Sequence, residues 1–551
     1  MNLHLDSALT SVFESLSRSN LCVLCGRLDR GLHEEGANGE GGRFRLQPYG
    51  IYKSLTRTKH AASRFGIQRL GSGFEKALMM KRAVVALFLS VAAFVAAAQT
   101  PSSPAIVQVF GFPCDSTLTQ CPDGSFLAGF LESADGNFYG IASEGGTGKN
   151  SQGSVFKITP SGQFTLLYSF AELPDGTLPF GASPDSLVEG MDGNLYGLTL
   201  VDGANGLGTA FKLTKAGVIT LLHSFCNTID CSDGAYPSFL TQGIDGKFYG
   251  GTGPQNPPTS VLFRMSPNGS YKALHTFDTK TQPDGTGIFN MVQLPDGNFY
   301  GTTVAGDQLK PWNTVFRFNP VTDAYTILHG FNSPNINLPN VAASGLTYGS
   351  DGNLYGLRVG SILYRITTAG SYHEMGPMSA TQNIDGDVME ASDGNLWGDF
   401  FQPPGTVFSS TLSGTVLQNL TLNANVNGQE PFGLLQAADG KLYGMSFENG
   451  APTNGQPSNG AFWVIDAGLA PPRPRIINFL PAGGKVGSTF VLQGSHFVGT
   501  TGVSIHGVSA GFKVLTANFI RVTVPARAST GKISVTNAGG TVASAKAFTV
   551  Q

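Results

Sequence analysis

One hexapeptide, Asp-Gly followed by Asn or Lys, then Phe or Leu, then an aromatic residue and Gly, recurs seven times and constrains this chain's fold more than any other feature. The copies begin at Asp135, Asp192, Asp245, Asp296, Asp351, Asp393 and Asp439. By subtraction their starts lie 57, 53, 51, 55, 42 and 46 residues apart. That period fits a four-stranded propeller blade and is too long for a helical repeat of about 34 residues. Around each copy the chain reads as four strands. An apolar stretch such as Ser186-Leu187-Val188 enters the Asp-Gly turn, whose Gly accepts the positive φ of a tight hairpin. A second strand follows at once, and a third (209–213) and fourth (218–225) are joined by a short turn. Only 13% of the residues are charged while glycines number 73, which favours strands and turns over helices. The predicted fold class is all-β: a seven-bladed β-propeller closed by an N-terminal strand, followed by a small Ig-like β-sandwich.

The closure follows from the phase of the repeat. The last unit has a third strand at Ala461-Phe462-Trp463-Val464-Ile465 but then runs into Pro471-Pro472, while residues 107–112 form an orphan fourth strand at the other end. Joining the two completes one blade and removes the exposed edges of an open array. The hairpin turns should then share one face. The long, irregular connections, 144–152, 252–259, 305–312, 448–459 and both cysteine loops, should share the other. Variable loops on a rigid scaffold are where binding usually resides, so ligand binding is expected on that long-loop face, with no individual binding residue assigned.

The remaining landmarks set the domain plan. Met80-Lys81-Arg82 precedes an uncharged run to Ala98 that is short for a bilayer span and ends in small residues, the pattern of a secretory signal peptide. The expected boundaries are an upstream extension called from too early a start and lacking stable structure (1–79), the signal peptide (80–98), the propeller (99–468), a Pro-rich linker (469–475) and the Ig-like domain (476–551). The mature chain is expected to be secreted, periplasmic or on the cell surface, monomeric, and without a membrane span. A net charge of −3 with no basic stripe argues against nucleic acid as a partner, leaving an extracellular glycan or protein. Cysteine usage agrees with export. Cys114 with Cys121 and Cys226 with Cys231 form two close pairs read as local disulfides. Cys22 and Cys25 have a metal-binding spacing but no second pair.

The repeats resemble the GloVer tandem repeat, named from Gloeobacter and Verrucomicrobia sequences. The matching segments are 192–197, 153–159 and 166–170, and coverage runs from about 106 to 466. The resemblance implies an exported bacterial surface protein and supplies no catalytic residues. Residues 476–550 resemble the IPT/TIG immunoglobulin-like domain through Ile477-Asn478-Phe479-Leu480-Pro481, 487–494, 522–526 and 531–535. That implies a spacer or contact module.

Three sets of polar residues invite chemistry. His223, His275, His329 and nearby His373 suggest a metal ring, but fourth strands are outermost, too far apart to share one ion, and Tyr168 and Phe110 occupy the same position. Packing is the expected role. The seven turn aspartates suggest calcium, yet apolar residues stand where further oxygen ligands are needed, so they are read as structural turn residues. Only the loops with Asp175-Gly176, Asp233-Gly234 and Asp284-Gly285 leave room for calcium; no other cofactor and no metal residue is expected. Three residues before each turn Asp stand Glu132, Glu189, Gln242, Gln293, Tyr348, Glu390 and Gln436. This ring could place an acid and a base in the channel, but hydrogen bonding between blades is the expected use. The expected function is therefore a non-enzymatic binding or scaffold protein, with no catalytic residue assigned. The alternative is a propeller enzyme, lyase or hydrolase, acting on an extracellular polysaccharide or small molecule. The Asp-Gly-Asn-Leu-Trp at 393–397 resembles streptogramin-lyase-like propellers, and that analogy supports the alternative.

Overall fold

A computed structural model describes residues 104–551 except 118–119, 254–259, 278–284, 286, 304–311, 333–344, 359 and 379–385. Residues 1–98, expected to hold the extension and the signal peptide, together with Cys22, Cys25, Asp284 and most of the loops 252–259 and 305–312, lie outside the described residues. Among the described residues the chain is all-β, without helix. It forms seven four-stranded antiparallel sheets, spanning in order 125–169, 182–224, 237–277, 288–332, 347–377, 388–421 and 429–465. We number them one to seven. The seventh takes its outer strand from the other end of the chain: Ile106–Pro113 pairs with Ser458–Ile465, Ile106 opposite Ile465 and Gly111 opposite Ala461.

The hexapeptide explains why the sheets stack. Its apolar residue and its aromatic residue point to opposite sides of the second strand, because side chains alternate along a strand. The aromatic of one sheet thus meets the apolar residue of the next: Tyr196 packs on Phe248 with ring centroids 4.2 Å apart, and Tyr249 on Phe299 at 4.6 Å. Tyr443 of sheet seven packs on Phe138 of sheet one at 4.5 Å, which closes the series into a propeller-like ring. Each boundary holds its own buried apolar cluster. Burying each such ring stabilises the fold by roughly 1.5–3 kcal/mol, so the cohesion is spread around the ring.

Two polar details complete the motif. Every turn Asp accepts the N–H of the residue two positions on through Oδ1, and the phenol or indole four positions on through Oδ2, as in Asp296 with Asn298 (3.0 Å) and Tyr300 (2.8 Å). Trp397 fills that role in sheet six, with Nε1 3.4 Å from Asp393. The buried ring therefore finds an acceptor for its polar tip. The final Gly of each hexapeptide lies beneath an aromatic ring of the third strand: a Cβ on Gly197 would sit 2.3 Å from Phe211, and one on Gly444 2.1 Å from Trp463.

The C-terminal module is a two-sheet sandwich. One sheet runs in the order Arg475–Leu480, Thr489–Ser495, Phe519–Thr523, Gly511–Thr516, and the other includes Gly540–Val550, Gly531–Asn537 and Gly502–Ile505. Phe490 and Phe548 stack at 4.3 Å between them, over Leu492, Ile520, Ile533 and Val535.

Candidate functional site

The residues singled out by sequence fall into different parts of this architecture. Cys114–Cys121 and Cys226–Cys231 are disulfide-bonded, each in a connection leading to an inner strand. The first loop sits where the ring closes: Cys114 N–H donates to Pro457 O, and Cys121 O accepts from Gly146. The second loop is organised by Asp233, whose carboxylate accepts the Asn227 N–H and meets His223 Nε2 at 2.9 Å. Asp175 spends Oδ1 on the N–H and hydroxyl of Thr177. The histidines are dispersed around the rim. His223, His275 and His329 each stack on a tyrosine of the next sheet, Tyr271, Tyr325 and Tyr372, at 4.0 to 4.3 Å, while His373 is exposed.

The polar ring bonds from sheet to sheet. In six places the Glu or Gln accepts the N–H of the residue before the preceding sheet's turn Asp, as Glu189 does from Ala134 (3.1 Å) and Gln242 from Met191 (2.9 Å). Glu132 closes the circle by accepting from Ala438 at 3.1 Å. The three glutamates differ in electrostatics. Glu189 is paired with Lys215 at 2.6 Å. Glu390 accepts twice from Ser350 and lies near the Arg475 guanidinium. Glu132 is pushed up to about 7, chiefly by burial, with the Asp439 carboxylate adding to the rise. These side chains ring a cavity of about 1070 Å³ bounded by the short-turn ends of all seven inner strands and by the C-terminal domain.

On the opposite face, sheets six, seven and one carry a surface that sequence reading did not single out. Phe401 follows the strand Leu396–Phe400, Phe447 lies near the end of Leu442–Glu448, and Phe126 near the start of Ser125–Glu132. Their rings form a half-buried run, Phe401 to Phe447 5.6 Å and Phe447 to Phe126 5.0 Å. Phe126 has φ 54°, and Glu430, six residues before Gln436 as Phe126 is six before Glu132, has φ 59°. Both precede register shifts in their inner strands, and such bulges re-aim side chains. Glu430 is raised by burial and by the neighbouring Glu448 carboxylate, which itself accepts from Gln429 at 3.2 Å. Beneath the same sector Asp399 is 1% exposed; Oδ1 accepts the Asp387 N–H at 3.2 Å, and Oδ2 has no hydrogen-bond partner. Burial, then the Asp387 carboxylate, holds Asp399 well above the usual carboxylate range. A signal for Asp399 existed: its hexapeptide continues with Asp where four of the other six continue with Ile141, Leu198, Leu357 or Met445 and the remaining two with Gly251 and Thr302. Nothing local marked Phe401, whose partners are set by the crossing from sheet six to sheet seven.

Comparison with known proteins places the repeats. The sequence pattern of the Gloeobacter/Verrucomicrobia repeat matches residues 114–290 and 287–501. The chain belongs to that repeat family. An IPT/TIG domain matches 474–550. No curated protein matches the chain. Among solved structures, the extracellular domain assigned to a hybrid two-component system of B. thetaiotaomicron is similar at 12% identity and TM-score 0.44, covering 82% of this chain and 57% of its own. A second extracellular domain from B. thetaiotaomicron, assigned to a one-component system, gives 13% identity and TM-score 0.43, covering 82% and 59%. This chain thus spans under two thirds of either neighbour. The WD40 β-propeller domain of Doa1 gives 10% identity and TM-score 0.41, covering 66% and 97%.

Proposed function

We propose that this Gloeobacter/Verrucomicrobia repeat protein is an exported, non-enzymatic binding or scaffold protein. Its seven sheets act as the blades of a propeller, and its long-loop face takes an extracellular glycan across blades six, seven and one. The observation that carries this reading is the run Phe401, Phe447, Phe126, with the neighbouring pair Glu430 and Glu448 at the same end of sheet seven. Half-buried aromatic rings offer flat apolar area to the C–H face of a sugar, and carboxylates beside them accept hydrogen bonds from its hydroxyls. Two disulfides support an oxidising compartment.

A panel of immobilised polysaccharides tests the reading. A binder should lose affinity by roughly ten-fold or more on Phe447→Ala, the scale of an interface anchor. Unchanged affinity in Phe447→Ala and Phe126→Ala, or binding only to protein probes, would sink it. Asp399 beside Asp387 favours a second reading, since two neighbouring carboxyl groups, one held well above its ordinary range by burial, are the elements of an acid–base pair. Shortened products in the binding reaction, lost in Asp399→Asn with binding retained, would replace the scaffold reading with that enzyme.

A further inference from the structure

Six boundaries of the ring are closed by the same side chain to backbone bond, and the boundary between sheets four and five departs from it. There Pro295 has no N–H to donate, and Tyr348 stands where every other sheet has Glu or Gln. The C-terminal domain makes polar contacts at this break and at Gln293, which closes the boundary before it. The Arg475 guanidinium lies 4.2 Å over the Tyr348 ring and donates to the carbonyl oxygens of Tyr348 and Gly349. Lys546 Nζ approaches Pro295 O at 3.4 Å, and Gln493 Nε2 donates to Gln293 Oε1 at 3.0 Å. Gln293 is a discriminating partner. Its Nε2 is committed to Gly297 O and its Oε1 already accepts from Ile244, so the amide cannot turn over and its spare lone pair accepts only a donor.

We propose that this break is a built seat and that the C-terminal domain is a stopper. Docked there, it closes the short-turn mouth of the channel and leaves the long-loop face as the route of entry. The linker holds the domain from the other side of the mouth. Ala470 O accepts from Ser392 Oγ at 2.6 Å and Gln436 Nε2 at 3.2 Å, both at the boundary of sheets six and seven, while Asn537 Nδ2 donates to Pro472 O at 3.0 Å. The Pro-rich segment is thus pinned at both ends instead of standing as a free spacer. Charge matches as well, because the half-buried Arg475 lies among Glu390, Asp351 and the Tyr348 ring, a setting that favours a guanidinium over other cations. The seat is independent of what the long-loop face binds.

Two measurements on the full chain test it. With Gln293→Cys and Gln493→Cys together, a short thiol-specific bifunctional crosslinker should give a bridged peptide in at least roughly ten-fold excess over Gln242→Cys with Gln493→Cys, because the two side chains meet at their tips and a direct disulfide would need Cβ atoms about 3.5–4.5 Å apart. Gln242 holds the same ring position one sheet earlier, so equal bridging of the two pairs would mean a roaming domain and overturn the seat. In X-ray scattering, Arg475→Ala with Gln493→Glu should lengthen the maximum dimension, because the new carboxylate faces a carbonyl oxygen. The exposed Lys513→Ala should leave it unchanged. An unaltered dimension in the double variant would likewise overturn the proposal.

Discussion

Glu132 shows how one residue can stand in a good position with the wrong charge. Its sheet-to-sheet bond requires only an acceptor, yet burial and Asp439 oppose its ionisation. Gln242, Gln293 and Gln436 make the equivalent bond without charge and also donate Nε2 to the Gly carbonyl of their own turns at 2.9 Å. Glu132→Gln should copy both bonds, with Gly136 O as the new acceptor. The folded pKa of Glu132 is raised, so its contribution is fully present below the ordinary glutamate value of 4.5 and is lost as pH rises through about 7. Melting temperatures from pH 5 to 8 should show the variant gaining on the parent as pH rises. By pH 8 the gain should reach about 1 kcal/mol or more. A constant difference across that range would show that Glu132 does not titrate as the geometry requires.

At the scale of an element, the motif's conserved letters each answer one physical need: an acceptor for a buried phenol, a positive φ in the turn, and room beneath an aromatic ring. These needs are local in sequence, so strands and turns were legible in the chain, and the phase of the repeat made the closure legible as well. The inter-sheet bond was legible as the expected use of the polar ring, but its backbone donors were not, because each lies 40 or more residues away. The exception at Pro295 and Tyr348 is instructive in the same way. Pro295→Ala alone creates an N–H facing the Tyr348 ring, and Tyr348→Gln alone leaves an amide without its backbone donor. The two together should restore the seventh bond. A double-mutant cycle read by chemical denaturation should therefore give a favourable coupling of about 1 kcal/mol. Strict additivity would indicate that the boundary is held by apolar packing alone.

The whole molecule adds a pH response that belongs to neither domain alone. His496 lies in the wall of the cavity between ring and domain, where burial first and the Arg475 charge second push it down to about 4. Its folded pKa is depressed, so its contribution is present above the ordinary value of 6.5 and is lost as pH falls toward 4. Melting between pH 7 and 4 should show an acid destabilisation that His496→Gln reduces; an identical acid limb in the variant would place His496 outside the linkage. His223 shares the direction but bonds to Asp233, which offsets part of its burial.

What the sequence determined by itself was the repeating unit, its all-β character, the strand that completes the last sheet, the cysteine pairs and the C-terminal sandwich. Each depends on contacts between near neighbours or on a pattern repeated often enough to read by comparison. Only the tertiary structure decided the rest: which rings meet as Phe401, Phe447 and Phe126, where Asp399 is left with an unpaired oxygen, and where the C-terminal domain sits. Those features join residues from different sheets or from opposite ends of the chain. Their spacing in sequence carries no record of their distance in space.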